Sequence, residues 1–145
     1  MTAGLWIEFA VSTVLVVATI VIHGFGLFSL NRLLRTERSR ERIENIDPLS
    51  LHGVAFTLAI VLALVALHGI EIWLFAVAYL IAGASNTLEA ALYFSSISYS
   101  TVGYSDAHVL LDWRMVGAFE SIIGVIMLGW STAFFFRMLG RIDPG

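Results

Sequence analysis

Residues 98–106 read Ser-Tyr-Ser-Thr-Val-Gly-Tyr-Ser-Asp: hydroxyls, one glycine and a carboxylate, set in a chain that is 59% hydrophobic. The donors on offer are oxygens. The 145 residues include no cysteine, which excludes disulfides and thiolate metal sites. Gly103 allows backbone angles closed to other residues. Non-helical backbone at membrane depth is tolerated only where it is buried in protein or lines a water-filled cavity. The histidines offer a second chemistry, since His23 and His68 lie in apolar runs and His52 begins one. A b-type haem needs two facing imidazoles. His52 and His68 are sixteen residues apart, roughly 24 Å along one helix and on nearly opposite faces, so they cannot share a haem. A His23–His68 pair across two helices remains open, and a Soret band would reveal it.

The elements that must hold these residues follow from hydropathy. A membrane span needs about 20 mostly apolar residues. Residues 5–30, 51–84 and 113–136 qualify. Only 13% of the residues are charged, which rules out an ordinary soluble domain. Between the second and third spans, Leu88 to Tyr99 has no helix breaker. Asn86 is expected to cap it, with Glu89 bonding back to the cap. A helix over 87–99 is about 18 Å long, half a membrane. Its C-terminal, partially negative end attracts cations.

Charge distribution sets the expected orientation. All basic residues are arginine, and five of the eight lie in Asn31–Arg42. Arginines flanking spans favour the cytoplasmic side. The loop 31–48 is therefore expected inside, the N-terminus outside and the short C-terminal tail, 139–145, cytoplasmic. Arg137 and Arg141 agree with that. The half-length helix then enters from the outer face. Residues 1–8 carry no basic residue, which argues against a cleaved signal peptide.

The run Thr101-Val102-Gly103-Tyr104-Ser105-Asp106 resembles the selectivity filter of tetrameric potassium channels, usually Thr-Val-Gly-Tyr-Gly-Asp. Its setting is similar too. A half-length helix with Tyr93 and Phe94 precedes it, and a helix with a mid-span glycine follows. The resemblance covers residues 49–138 and points to small prokaryotic potassium channels carrying one extra N-terminal helix. It implies an all-α membrane protein with three transmembrane helices, a re-entrant pore helix and a filter at 101–106, assembled as a homotetramer. Carbonyls of Thr101, Val102, Gly103 and Tyr104 would replace the water shell of a potassium ion. Potassium is the permeant ligand, and neither a resident cofactor nor nucleic acid is expected, nor any enzymatic activity. Ser105 departs from the pattern. A left-handed non-glycine residue there costs roughly 1–2 kcal/mol, so Ser105 is expected to loosen the outermost ion site at the outer mouth it shares with Asp106. A non-selective monovalent cation channel is the alternative. A polar hairpin between spans and a non-conducting scaffold are further readings.

Several residues acquire expected roles from this frame. Ile97 stands where some bacterial channels carry a glutamate partner for the filter aspartate. Glu71, roughly 30 Å from Leu51 by helical rise, is read as an interfacial carboxylate or as a partner of Arg114. Glu120 is expected to bond behind the filter, to Ser96 or Ser98, as buried membrane carboxylates usually have protein partners. The stretch from Glu120 to Phe136 resembles the inner helix of inward-rectifier channels. That likeness makes Gly124 the expected hinge and places Leu128, Thr132 and Phe136 on the pore, with Phe136 at a hydrophobic gate. Arg35, Arg38, Arg40 and Arg42 are expected to meet anionic lipid, each contributing on the order of 1 kcal/mol. The first span has no arginine ladder, so no voltage sensor is expected.

Overall fold

The computed structural model describes residues 2–34, 50–103 and 113–140. It is all-helical. Helix α1 runs Thr2–Leu34, α2 Leu51–Ile81, α3 Leu88–Tyr99 and α4 Arg114–Leu139. Three of these, α1, α2 and α4, are long and apolar enough to cross a membrane. Helix α1 continues four residues past the expected end at 30, taking in the first arginine of the basic run, Arg32.

Helix α1 is apolar on most of its circumference, yet the stripe it buries is largely polar. Glu8, Ser12, Leu15, Thr19, His23 and Leu27 recur at three- and four-residue spacing and all face the protein. With lipid as apolar as leucine, helices associate through close packing and hydrogen bonds, which small and polar side chains permit. Ser12 and Thr19 turn their hydroxyls onto the carbonyls of Glu8 and Leu15, at 2.7 and 2.9 Å. Trp6, Val14, Phe25 and Phe28 lie on the opposite, exposed side, as suits a lipid-facing surface.

Packing at the two ends fixes the helix directions. At one end Leu27 of α1 meets Ile60 and Leu64 from the start of α2 and Phe134 and Met138 from the end of α4. Helix α2 is therefore antiparallel to α1 and α4. At the other end Phe75, Ala76 and Tyr79 of α2 pack with Val116, Ile123 and Met127 of α4 around Ala91, Phe94 and Tyr99 of α3. Helix α2 begins with Ser50, whose hydroxyl accepts the Gly53 N–H at 3.1 Å. It ends at a turn through Gly83, whose φ of 67° suits glycine. The α4 N-terminus has no side-chain cap of its own. Glu8 of α1 supplies one instead, its carboxylate accepting the Met115 N–H at 3.2 Å. An anionic side chain at a helix N-terminus is favoured by the unpaired N–H groups and the helix dipole.

Candidate functional site

Helix α3 is twelve residues long, matching the half-membrane length expected. Its cap is Thr87 rather than Asn86: the Thr87 hydroxyl accepts the Ala90 N–H at 3.1 Å. The helix descends until Tyr99 stands beside His68, Glu71 and Gly124, all well inside α2 and α4. It is thus re-entrant: it delivers its C-terminus to mid-span and leaves the following backbone there.

That backbone is left-handed at alternate positions. Thr101 has φ 62° and Gly103 φ 57°. For glycine this costs little, and a Cβ added at Gly103 would meet nothing within 4 Å, so the backbone angle, not crowding, calls for glycine. For a β-branched threonine it is an outlier of about 1–3 kcal/mol, of the kind concentrated at ligand clamps and switch regions. Two bonds hold the turn: Thr101 N–H donates to the Ser98 carbonyl at 2.9 Å and Gly103 N–H to the Ile97 carbonyl at 3.0 Å. Val102 is half exposed on the open side. Tyr104, Ser105 and Asp106 lie outside the described residues, as do Arg35, Arg38, Arg40 and Arg42.

The inner helix seats α3 through two glycines. A Cβ on Gly124 would lie 2.2 Å from the Tyr99 carbonyl oxygen, and one on Gly117 2.8 Å from the Phe94 ring. This close approach is reason enough for glycine at 124, the expected hinge. Leu128, Thr132 and Phe136 lie on the exposed side of α4, whereas Gly124 is turned into the core. The four do not share one face, because spacing by four advances about 40° around the helix at each step.

Two fully buried carboxylates brace α3 from behind. Glu120 accepts the Tyr79 hydroxyl at 2.7 Å and lies 2.5 Å from the Ser95 hydroxyl. The expected partners were Ser96 and Ser98. Ser96 instead bonds the Leu92 carbonyl on the exposed side, while Ser95 points inward and also reaches the Ile72 carbonyl at 2.8 Å. Phe94 packs edge-on against Tyr79 at 5.2 Å between centroids, and Ile97 is buried. Tyr93 is 47% exposed and faces away from the chain's own core.

Glu71 overturns its expected placement. It is neither interfacial nor paired with Arg114. It is fully buried and bonded to three aromatic rings. Its Oε1 is 2.8 Å from His23 Nδ1, its Oε2 accepts the Tyr99 hydroxyl, and His68 Nδ1 is 3.4 Å away. His68 Nδ1 is also 2.8 Å from the Tyr99 oxygen, and Ser131 Oγ is 3.2 Å from His23 Nε2. The single Tyr99 hydroxyl proton goes to Glu71, so His68 Nδ1–H donates to the Tyr99 oxygen. Counting from Leu51 misplaced Glu71 because helical rise gives a position along α2 but not the rotational phase, which turns this side chain into the bundle toward His23 and Tyr99. His23 and His68 do face each other, with ring centroids 5.3 Å apart. That gap is too narrow for a porphyrin between them, and both nitrogens of His23 already have partners. The pair belongs to the brace behind the pore helix, not to a haem. Tyr99, the brace's link to the backbone that follows α3, was missed in the sequence. Its only signal there was a tyrosine one helical turn before Gly103.

With this geometry described, comparison with known proteins identifies the class. An ion channel family matches residues 54–141, which takes in α2 from Val54 onward, α3, α4 and the segment between the last two. The chain therefore belongs to the ion channel family, whose members conduct ions passively across membranes. No curated protein and no solved structure matches it.

Proposed function

We propose that this channel is a homotetramer selective for potassium over sodium, each chain contributing one filter strand. The carrying observation is the half-length α3 ending at mid-span in a backbone left-handed at Thr101 and Gly103. Alternating backbone hands turn successive carbonyls to one side, the arrangement needed to replace a cation's hydration shell. One chain supplies one such strand, and a closed ring of identical chains completes the cage. The exposed faces of α3 and α4, with Tyr93, Val102, Leu128, Thr132 and Phe136, are the surfaces such a ring covers or turns toward the ions. The protein lies in the cell membrane with its N-terminus outside, and Arg35, Arg38, Arg40 and Arg42 meet anionic headgroups.

Counting in twos from Thr101 and Gly103 reaches Ser105, where the sequence carries serine in place of the usual glycine. The inner ion sites hold and the outermost is loosened, so potassium permeates best but with reduced stringency. Potassium and sodium flux into liposomes, with reversal potentials under opposed gradients, tests this. Preference for potassium that sharpens in Ser105→Gly is expected. Equal permeability would establish the non-selective alternative, and no flux the scaffold.

A further inference from the structure

We propose that His23, His68 and Glu71, closed by the Tyr99 hydroxyl, form a binding site for a divalent transition-metal ion of the zinc class inside the helix bundle. The donors are two imidazoles and a carboxylate, a set that suits zinc. It offers too few oxygens for calcium or magnesium. One ligand atom from each of the three residues lies within 4.8 Å of the others. His23 Nδ1 is 2.8 Å from Glu71 Oε1, and His68 Nδ1 is 3.4 Å from the other carboxylate oxygen, Oε2. A tetrahedral zinc with ligands at 2.0–2.2 Å wants them about 3.3 Å apart, so a modest rotation of one imidazole closes the site. His68 and Glu71 sit three residues apart on one face of α2, and His23 approaches from α1.

The surroundings fit a ligand role as well. Metal-bound histidines usually donate their other N–H to an oxygen that fixes the ring. Ser131 Oγ, 3.2 Å from His23 Nε2, is in that place. When His23 carries its proton on Nε2, that N–H donates to Ser131 and the Nδ1 lone pair faces the Glu71 carboxylate. The Tyr99 oxygen, 2.8 Å from His68 Nδ1, is a fourth donor. A buried carboxylate is normally paired or coordinates a metal, and a cation here offsets its charge. The His68 side chain is 14% exposed while those of His23 and Glu71 are fully buried, so His68 marks the way in. Because Tyr99 is two residues from Thr101, drawing Glu71 onto a metal changes the bond that positions the filter base. Zinc is therefore expected to alter ion flux.

The test uses the full chain in detergent micelles, with zinc as the probe. Metal analysis after gel filtration is expected to give one zinc per chain, and zinc-edge X-ray absorption two imidazole nitrogens and oxygen at 2.0–2.2 Å. Glu71→Gln is the informative variant. Its amide can donate to His23 Nδ1 and accept from Tyr99 once His23 shifts its proton to Nε2, so the bundle folds while the carboxylate ligand is lost. Glu71→Gln and His68→Gln are each expected to weaken binding about 100-fold or more, and Ser131→Ala about 10–100-fold. Replacing His52 and His108 together leaves the zinc in place. Binding is read without any ion flux, so it stands or falls apart from potassium selectivity. Wild-type protein without zinc, an all-oxygen absorption spectrum, or wild-type zinc affinity retained in Glu71→Gln and His68→Gln overturns the proposal. The absorption spectrum of the wild type decides even if a variant misfolds.

Discussion

Glu71 and Glu120 are both fully buried in apolar helices and both reach the pore helix, yet their neighbours differ in kind. Glu120 meets only hydroxyls and bonds the middle of α3 through Ser95. Glu71 meets two imidazoles and a phenol, and bonds the end of α3 through Tyr99. Hydroxyl partners donate or accept, and two hydroxyls with one carboxylate lack the imidazole nitrogens that a zinc-class ion prefers. Imidazoles can shift a proton from one nitrogen to the other or coordinate a cation. The first arrangement anchors the middle of α3 to hydroxyls; the second ties its last residue to a carboxylate shared with two imidazoles.

The contrast can be broken at graded points. Glu120→Ala leaves the Tyr79 and Ser95 hydroxyls facing a void, and is expected to cost about 2–4 kcal/mol, read as a lowered unfolding midpoint and loss of assembly on native gels. Gly124→Ala drives a methyl into the Tyr99 backbone carbonyl, which cannot swing aside as a side chain can. It is expected to cost about 1–3 kcal/mol and to disturb both braces, lowering flux and thermal stability together. Tyr99→Phe cuts only the Glu71 brace. It is expected to cost about 1 kcal/mol while changing single-channel open times, a readout that Tyr79→Phe at the other brace leaves nearly unmoved. Glu120→Gln sharpens the comparison most finely. Its amide donates to Ser95, Ser95 donates to Ile72, and its carbonyl accepts from Tyr79. Stability within about 0.5 kcal/mol of wild type is expected, since every group keeps a partner. If the glutamine variant fell as far as the alanine variant, Glu120 would be needed as a charge and the distinction drawn here would be lost.

The spans and the half-length helix could be read in the sequence because apolar run length maps directly onto helix length. The filter letters stand out for a related reason: Gly103 and its neighbours are constrained locally, within a few residues. The braces depend instead on rotational phase over long helices. Ser95, Ser96 and Ser98 are chemically alike, and only a 100° step per residue separates the one that bonds Glu120 from the one that faces out. Glu71 was misplaced because helical rise from Leu51 gives its height but not the direction in which its side chain points. The polar stripe of α1 is spread over twenty residues and reads as a face only once its partners on α2 and α4 are known.

The bond from Glu8 to the Met115 N–H joins residues 107 apart in the chain. Ribosomes add about 5–20 residues per second, so about 5–20 s pass between the synthesis of the carboxylate and that of its amide. During that interval the first helix has no means of making this contact, and the end of α4 that bears the pore helix does not yet exist. This contact between α1 and α4 therefore forms only after α4 has been synthesised. A chain truncated before Met115 leaves the Glu8 carboxylate without this amide.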